Sequence, residues 1–415
     1  MNDHEQTPSS PDAARARLVA GLRASGRALS PPVQEAFAKV PRHLFVPEMG
    51  QSAAYRDEAF VLKIGPDGIP VSSSSQPAMM AIMLEQLGLR PGHRVLEIGT
   101  GSGYNAALMS LITGPRGKVV TVDIDAELVA RARSSLAAAG YPKVEVRCAD
   151  GGYGDPAGAP FDRIMVTAGA WDIAPAWLEQ LTDDGRLVLP LSVRGIELSV
   201  ALDHTGDRWV STSACRCGFV RMLGAYAQPE SAVRLDGPDA LVVQVADGHP
   251  VDARALRDAL AAPVADIPAD LPVTDSAELG DLDLWLTVTQ PQLERLTVLS
   301  TGAGAPRAQW LLPLGGLASN AGDPSGVGVA ALIPEPGPDT DSAGVVIRGF
   351  GPGGEALATD LAARGLSWAE LGRPGSAQVQ LSVWPAGVPA QLQAGMVMME
   401  RPNSQIAVGW PGQAY

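Results

Sequence analysis

A glycine-rich turn near residue 100 has the residue types and spacing of a ligand-binding loop. The stretch E-I-G-T-G-S-G-Y (97–104) places Gly99, Gly101 and Gly103 directly after a short apolar segment. Glycines let the backbone approach a ligand closely and expose amide groups at the start of a helix. Dinucleotide-binding enzymes use a similar turn with the spacing G-x-G-x-x-G. The spacing here differs, and the Glu97 carboxylate suits a cationic ligand better than a pyrophosphate.

Two aspartates follow at the ends of the next two apolar segments. V-T-V-D-I contains Asp123, whose carboxylate can accept from both hydroxyls of a ribose, and C-A-D-G-G contains Asp150, which can accept from the amino group of adenine. The carboxyl ends of adjacent strands form the edge where open α/β sheets bind ligands. A ligand with ribose, adenine, an amino acid and a sulfonium but no phosphate is S-adenosylmethionine, which we expect as the cofactor. The expected cofactor-binding residues are Glu97, Gly99, Thr100, Gly101, Gly103, Asp123, Ile124, Asp150 and Gly151.

The segments that carry these residues alternate between strand and helix patterns. Short apolar runs predict strands at 94–99, 118–124, 144–150, 161–167 and 185–191. Apolar residues at helical spacing predict helices at 100–113, 126–140 and 172–182. Such alternation indicates an α/β fold, with a parallel sheet that has helices on both faces.

The pattern changes before and after this region. Residues 1–13 are polar and rich in Pro and Ser, so we expect them to be disordered. A helical pattern follows, and Ser30 with the two prolines after it predicts the start of a second helix. These features place the first domain at 14–230 and a disordered segment before it.

A second α/β domain is expected at 235–415, after the boundary signals around Pro229. Apolar patterns there predict strands at 240–246 and 282–288 and a helix at 252–260. Further along, a helix is predicted at 355–365 and a pair of strands at 377–385 and 406–410.

Charge and composition exclude several classes of partner. Of the net charge of −14, residues 231–415 contribute −11, with nine arginines, no lysine and twenty acidic residues. Such an acidic surface repels nucleic acid and anionic membranes, whereas a basic peptide is a natural partner. The same acidity also simply favours solubility. No export signal or membrane-length apolar run occurs, so we expect a cytoplasmic protein without membrane contact.

The cysteines and histidines do not indicate a metal site. Cys215 and Cys217 are separated by one residue, closer than the paired ligands of common zinc sites, and the third cysteine, Cys148, is distant. The five histidines are scattered along the chain. We therefore expect no bound metal.

Several longer motifs closely resemble the protein-L-isoaspartate O-methyltransferase family. They are V-P-R-H-L-F-V-P-E (40–48), A-Y-R-D-E-A-F (54–60), S-Q-P (75–77), V-L-E-I-G-T-G-S-G-Y-N-A-A-L (95–108), A-P-F-D-R-I-M-V-T-A-G-A (159–170) and L-E-Q-L-T-D-D-G-R-L-V-L-P-L (178–191). The resemblance covers about residues 14–228. It implies a class I (Rossmann-like) S-adenosylmethionine-dependent methyltransferase with a seven-strand, mostly parallel sheet. The family esterifies the side carboxylate of isoaspartyl residues, and its common short form lacks anything like the residues after 230.

The serine run at 72–75 acquires a role through this resemblance. The corresponding family loop commonly reads Q-T-I-S-Q-P, and its serine, matched by Ser75, lies where donor and substrate carboxylate meet. The resemblance therefore implies Ser75 as a catalytic and cofactor-binding residue, in an active-site loop rather than a linker. Ser72, Ser73 and Ser74 replace the triplet Q-T-I, and serine hydroxyls can donate to a carboxylate. We expect these three serines and Arg221 to contact the substrate.

Three functions remain open at the level of the sequence. The first is general repair of isoaspartyl sites in damaged proteins. The second is methylation of an Asp or isoAsp in one dedicated ribosomally made peptide, giving an ester that closes to aspartimide. The added domain and the altered serine triplet favour this second function. The third is a non-catalytic module that retains the cofactor pocket. The sequence does not predict the oligomeric state.

Overall fold

The computed structural model describes residues 10–66, 68–229, 232–235, 242–246, 252–261, 263–298, 316–319, 327–336 and 343–413. The helices within these ranges are α1 (Pro11–Ala24), α2 (Pro31–Lys39), α3 (Pro77–Leu87), α4 (Tyr104–Thr113), α5 (Ala126–Ala138), α6 (Pro175–Glu179), α7 (Ala253–Ala259), α8 (Ser276–Thr289) and α9 (Gly354–Glu370).

The strands before residue 230 are β1 (Phe60–Ile64), β2 (Pro70–Ser74), β3 (Arg94–Ile98), β4 (Lys118–Asp123), β5 (Glu145–Cys148), β6 (Phe161–Val166), β7 (Leu181–Val193), β8 (Ile196–Thr205) and β9 (Arg208–Arg216). Those after it are β10 (Ala232–Arg234), β11 (Val242–Val245), β12 (Pro263–Pro268), β13 (Glu294–Val298), β14 (Gly316–Ala318), β15 (Val329–Pro336), β16 (Ala343–Phe350), β17 (Gln380–Pro385), β18 (Met396–Glu400) and β19 (Ser404–Gly409).

The predicted α/β fold is confirmed in the first half of the chain. Strands β5, β4, β3, β6 and β7 are neighbours in that order and all pair in parallel, and β8 and β9 continue the sheet antiparallel. Consecutive residues of β3 belong to different cores: Val95 packs with the helices α1–α5, whereas Leu96 packs with α6. Helices thus cover both faces, as apolar parallel strands require. The predicted helix at 172–182 is shorter, because β7 already begins at Leu181.

The sheet of the first half does not end at β9, which corrects the predicted domain boundary. Strand β17 pairs with β9 through Ser382 and Val383, and β19 and β18 follow it, so that ten strands form one sheet. Buried side chains of α8, α9 and β17 belong to the same apolar core as those of β6–β8. The residues at 235–415 are therefore not one separate unit, since the last three strands complete the first sheet. The strands predicted at 377–385 and 406–410 are confirmed as the pair β17 and β19, but they extend the first sheet through β9 and do not belong to a second domain.

The other strands of the second half form a separate antiparallel sheet in the order β10-β11-β13-β14-β15-β16-β12. Helix α9 packs against β12, β15, β16 and α8. The strand predicted at 282–288 is wrong, because these residues lie in helix α8, whose N-terminus is capped by the Asp275 carboxylate. The alternation was misleading because the polar position Asp283 is buried and ion-paired with Arg295 at 2.6 Å, instead of facing solvent.

The N-terminal helices pack beside the parallel sheet. Helix α1 begins at Pro11, so the predicted disorder of residues 1–13 is wrong for 11–13, and residues 1–9 lie outside the described residues. Ser30 is the residue before α2, as predicted, but its hydroxyl does not cap that helix. The Ser30 hydroxyl and amide instead donate to the Glu85 carboxylate of α3, at 3.0 and 2.8 Å. This contact joins the start of α2 to α3.

Candidate active site

A deep cleft lies at the carboxyl ends of β3 and β4, under the strand β2. Its empty volume is about 1010 Å³, part of it open to solvent. We call residues 99–103 the glycine loop and residues 72–75 the serine lip. Twelve residues expected to bind cofactor or substrate line this cleft: Ser72, Ser73, Ser74, Ser75, Glu97, Gly99, Thr100, Gly101, Asp123, Ile124, Gly151 and Arg221.

At two positions of the glycine loop, Gly99 and Gly101, the cleft leaves no room for a side chain. A Cβ atom on Gly99, at φ +100°, would lie 2.5 Å from the Thr167 hydroxyl, and one on Gly101, at φ +49°, would lie 3.3 Å from the carbonyl oxygen of Ser73. Gly103 differs, because a Cβ there would meet Ala132 and Leu136 of α5 at 3.3 Å. Gly99 and Gly101 therefore shape the cleft, whereas Gly103 allows α4 to pack on α5.

Glu97 is a buried carboxylate at the floor of the cleft. It accepts hydrogen bonds from Asn105 at 2.8 Å and from the Thr121 hydroxyl at 2.6 Å, and Thr121 in turn contacts the Thr100 hydroxyl at 2.8 Å. Burial raises the pKa of the Glu97 carboxyl to about 7, against the lowering effect of these two hydrogen bonds. The Oδ1 atom of Asn105 is buried and lacks a partner among the described residues. A ligand that donates hydrogen bonds would fit here.

Asp123 holds the glycine loop in place. Its two carboxylate oxygens accept from the backbone amides of Gly101 and Asp125, both at 3.0 Å. Burial raises the pKa of this carboxyl as well. Beside it, Ile124 exposes 44% of its surface at the mouth of the cleft. A carboxylate oxygen has two lone pairs, so that Asp123 retains acceptor capacity for a ligand.

Asp150 stands apart from the other expected cofactor-binding residues, since it does not line the cleft. Its carboxylate accepts from the amides of Gly152 and Ala225, both at 2.8 Å, and so connects the end of β5 to the segment after β9. The adjacent Gly151 does line the cleft, and a Cβ on it would lie 2.4 Å from the Ile98 side chain. The close packing at Gly151 keeps this end of the cleft narrow.

The serine lip is part of a β-hairpin and not a flexible linker. Ser72, Ser73 and Ser74 belong to β2, which pairs antiparallel with β1, and Pro77 begins α3 two residues after Ser75. Ser72 and Ser74 are buried, and the Ser74 hydroxyl has no partner among the described residues. The lip is therefore ordered by strand pairing on one side and by a helix on the other.

A second segment, residues 219–223, closes the cleft opposite the lip. Gly169 joins it to the loop after β6, because the Gly169 amide donates to the Val220 carbonyl at 2.8 Å and the Met222 amide donates to the Gly169 carbonyl at 3.1 Å. The Glu197 carboxylate accepts from the Phe219 amide at 2.6 Å, and burial raises its pKa to about 7. Arg221 is exposed on this segment.

Arg42 was not identified as a site residue from the sequence, although it lies in the motif at 40–48. Its side chain is fully buried, and it donates to the carbonyl oxygen of Ser75 at 2.9 Å. The guanidinium carbon lies 5.4 Å from the centre of the Phe60 ring and 5.1 Å from that of Tyr104. Burial lowers the pKa of Arg42 to about 10. The position of an arginine inside the mainly apolar motif V-P-R-H-L-F-V-P-E was the signal that could have found it.

The C-terminal strands contact the loop after β6 through Asp172, which itself does not line the cleft. The buried Asp172 carboxylate accepts from the Ser404 hydroxyl at 2.6 Å and from the backbone and side-chain amides of Asn403 at 2.9 and 2.8 Å. Next to it, the guanidinium of Arg401 lies 4.4 Å from the ring centre of Trp171. No local motif indicated these contacts, because they join residues about 230 positions apart.

The character of the cleft restricts the ligand. Among the described residues that line it, Arg221 is the one with a cationic side chain, whereas Glu97 is a buried acid and Asp123 a half-buried one. A pyrophosphate would find little positive charge here, while a cationic nucleoside fits the acids and the unpartnered oxygen of Asn105.

The described residues contain no group of three metal-ligating side chains. No helix in the described part is long and apolar enough to span a membrane.

Known proteins resemble the first half of the chain. The family model described as Protein-L-isoaspartate(D-aspartate) O-methyltransferase matches residues 13–227. The protein-L-isoaspartate O-methyltransferase of Methanopyrus kandleri is 41% identical over 222 residues, which are 52% of this chain and 96% of the relative. Protein-L-isoaspartate O-methyltransferase 2 of Archaeoglobus fulgidus is 46% identical over 221 residues, 52% of this chain and 95% of the relative.

A solved structure of a protein-L-isoaspartate O-methyltransferase aligns with 89% of this chain and 96% of its own, at 22% identity and a TM-score of 0.49. The match of the family model covers most of the residues that line the cleft and ends before β10.

Proposed function

The chain belongs to the protein-L-isoaspartate O-methyltransferase family, and from this premise we propose that it methylates an aspartyl or isoaspartyl side chain of one dedicated peptide. Membership makes it an S-adenosylmethionine-dependent carboxyl O-methyltransferase with the class I fold. The observation that carries the proposal is the contact of the serine lip with the glycine loop, where the Ser73 carbonyl would lie 3.3 Å from a Cβ on Gly101. Donor and acceptor groups therefore share one cleft.

We assign donor binding to the floor of the cleft. S-adenosylmethionine supplies, when bound, a methyl group activated by a positively charged sulfur. Glu97 and the free oxygen of Asn105 are suited to its ammonium group, and Asp123 to its ribose hydroxyls. The glycine loop admits it closely because no side chain intervenes. Ile124 and Gly151 border the space for the adenine, and Asp150 acts there by holding the backbone around Gly151.

We assign acceptor binding to the serine lip and to residues 219–223. A carboxylate is ionised at neutral pH, because its ordinary pKa is about 4, and it is therefore a nucleophile without a general base. The task of the protein is to hold one carboxylate oxygen in line with the methyl group, and proximity alone can supply several kcal/mol of the barrier, roughly 7–11 in favourable cases. The hydroxyls of Ser74 and Ser75 and the Arg221 guanidinium are candidate donors.

The contacts of the C-terminal strands favour a dedicated peptide. Asn403 and Ser404 hold Asp172, in the loop that supplies Thr167 and Ala168 to the cleft, so that residues beyond the family match contribute to the acceptor side. The acidic second half offers an electrostatic surface for a basic peptide. Methylation would convert the carboxylate into an ester with a methoxy leaving group. The next amide nitrogen would then attack the ester carbonyl carbon and give a succinimide with release of methanol.

General repair of isoaspartyl residues is the alternative, and the match of the family model to residues 13–227 favours it. A repair enzyme accepts many sequences, whereas a dedicated enzyme discriminates between peptides by additional contacts. The two functions therefore differ in selectivity and not in chemistry.

Mass spectrometry separates these functions. The protein and S-adenosylmethionine are incubated with isoaspartyl model peptides of several sequences and, separately, with a precursor peptide encoded beside the gene. We expect one added methyl group on an Asp or isoAsp of the precursor and little on the model peptides. Rapid labelling of every isoaspartyl peptide would establish repair instead. Donor binding by calorimetry without methyl transfer to either class would indicate the non-catalytic module.

A further inference from the structure

The environment of Arg42 is unusual for a buried cation. Its guanidinium forms no salt bridge within the described residues, although the charge of Asp57 acts on it, and its Nε and Nη1 atoms make no hydrogen bond there. The strongest polar contact is with the Ser75 carbonyl, at 2.9 Å, and a longer one reaches the Glu58 carbonyl at 3.4 Å. Burying an unpaired charge is costly, so packing alone gives no reason for arginine at this position.

The hydrogen bond to Ser75 fixes the orientation of the Ser75–Gln76 peptide, of which Ser75 lines the cleft and Gln76 is the next, exposed residue. In a trans peptide the N–H of the next residue points away from the carbonyl. The Ser75 carbonyl faces Arg42, so the amide of Gln76 is directed to the opposite side. No hydrogen bond from this amide to a described residue is present. The Gln76 side chain does not block it, since its amide donates to Asp57 at 3.2 Å.

Gln76 also precedes the first turn of α3, an eleven-residue helix whose N-terminus carries partial positive charge. Pro77 has no amide hydrogen, and the Ala78 amide already donates to the Asp57 carboxylate at 2.8 Å. The Ser74 hydroxyl, which is buried and has no partner within the described residues, lines the cleft beside this turn. This hydroxyl and the neighbouring Gln76 amide are therefore unused donors suited to a carboxylate.

We propose that Arg42 is a positioning residue of methyl transfer: it orients the Ser75–Gln76 peptide so that the Gln76 amide donates to the acceptor carboxylate. This inference rests on the proposed function, since it concerns the same acceptor. The Arg42 hydrogen bond also polarises the peptide group and makes the Gln76 amide a stronger donor. Arg42 itself stays behind the lip and does not contact the substrate.

The substitution Arg42→Met tests the inference with little risk to the fold. Methionine fills the space between the Phe60 and Tyr104 rings and removes an unpaired buried charge, so we expect unchanged or raised thermal stability. We expect kcat/KM for the peptide to fall about 100-fold, as for the loss of an anion-holding donor. The affinity for S-adenosylhomocysteine, measured by calorimetry, should stay within about twofold because the glycine loop is untouched. Arg42→Lys, which keeps a charge and a donor, should restore part of the loss.

Arg56→Met is the matched control, because Arg56 lies in the same lobe, is largely exposed and pairs with Glu58 at 3.2 Å. It should leave kcat/KM unchanged. Equal activity of Arg42→Met and the wild type would overturn the inference. An equal loss of donor affinity would also overturn it, because Arg42 would then shape the donor site.

A binding measurement distinguishes failure of the inference from failure of the proposed function. Calorimetry with S-adenosylhomocysteine present compares an isoaspartyl peptide with its asparagine counterpart, which lacks the carboxylate. We expect the wild type to prefer the carboxylate and Arg42→Met to lose this preference. If the wild type methylates nothing but shows this pattern, the proposed function fails, while the role of Arg42 in positioning the peptide that binds the carboxylate stands. If the preference is unchanged in Arg42→Met, the inference fails whether or not methylation occurs.

Discussion

The two walls of the cleft are built in opposite ways. The donor wall, residues 97–105 with 121–125, comes from two adjacent strands and the turns after them. The acceptor wall combines the serine lip with the loop after β6 and residues 219–223. Its supports lie at distant positions of the chain, Arg42 before the lip and Ser404 near the C-terminus. A common donor is thus held by a local unit, whereas the variable acceptor is held by contacts that distant parts of the sequence can change.

The walls also differ in how their polar groups are used. On the donor wall, both oxygens of Glu97 and of Asp123 already accept hydrogen bonds from the protein. The Ser74 hydroxyl on the acceptor wall has no described hydrogen-bond partner, and on the donor wall the same holds for the Asn105 Oδ1 and the Tyr104 hydroxyl. We infer that the two acids hold the donor wall rigid before binding, and that Asn105 and Ser74 rely on their ligands to complete their hydrogen bonds.

The largest effect is expected at the donor wall, for Gly99→Ala. Its Cβ would lie 2.5 Å from the Thr167 hydroxyl at a φ of +100°, and backbone strain and overpacking each cost about 1–3 kcal/mol. We expect the affinity for S-adenosylhomocysteine to fall about 100-fold in calorimetry. Gly140→Ala is the control, because Gly140 has a φ of +88° but no atom within 4 Å of a Cβ. Wild-type affinity in Gly99→Ala would mean that the donor wall adapts and is not rigid.

The next effect concerns Glu97, whose pKa burial raises to about 7. Below pH 7 the empty cleft holds this carboxyl protonated, so a cationic donor must displace a proton, and donor affinity should fall as the pH decreases. Above pH 7, Glu97→Gln should bind the donor about tenfold more weakly, since it lacks the charge. The variant should show no such pH dependence. Calorimetry from pH 5 to 9 measures both, and parallel pH profiles would show that Glu97 does not face the cation.

The same pKa makes a separate prediction for stability. Between the ordinary pKa of 4.5 and about 7, the folded state binds the Glu97 proton more strongly than the unfolded state. The free energy of unfolding of the empty protein should therefore decrease as the pH rises through this window. Glu97→Gln should reduce that slope and leave the part due to Glu197, whose pKa burial also raises to about 7, and urea unfolding at several pH values measures both.

The donor wall could be predicted from the sequence because its residues are neighbours along the chain. Glycine spacing and strand-ending acids identified Glu97, Gly99 and Asp123, and parallel pairing brought them together. Asp150 was an exception, since its carboxylate is used by the backbone amides of Gly152 and Ala225, a contact that no periodicity indicates.

The acceptor wall could be predicted only where a family motif marks it, as at Ser75. Arg42 was passed over because its significance depends on a carbonyl 33 positions away. The link from Asp172 to Ser404 depends on three strands joining the first sheet, and alternation alone does not specify which sheet a strand enters. The same limitation led to the incorrect strand at 282–288, where burial of Asp283 was not visible in the pattern.

A smaller effect is expected at the connection between the acceptor wall and the C-terminal strands. Ser404→Ala removes the hydroxyl that donates to Asp172 at 2.6 Å, and one such hydrogen bond is worth about 1 kcal/mol. We expect KM for the peptide to rise about fivefold and donor affinity to stay unchanged. Ser367→Ala, on the exposed side of α9, is the control. An equal loss of donor affinity would show that the two walls are not independent.

The smallest effect is expected for Lys63→Met, which tests whether the hairpin β1–β2 joins the two walls. Lys63 lies on β1 and donates to Asp125 and Glu127 at the start of α5, both at 2.6 Å, while the serine lip lies on β2 of the same hairpin. These hydrogen bonds, first that to Asp125, raise the pKa of Lys63, so it stays charged at every working pH. The pairs are partly exposed, so we expect S-adenosylhomocysteine to dissociate only about twofold faster from the variant.

Added salt should bring the wild-type rate toward that of the variant, because screening weakens the same pairs. Lys39→Met, which removes an exposed pair with Glu35 on α2, should leave the rate unchanged. Stopped-flow dissociation at low and high salt measures these rates. A salt-independent wild-type rate would mean that strand pairing alone keeps the lip over the donor.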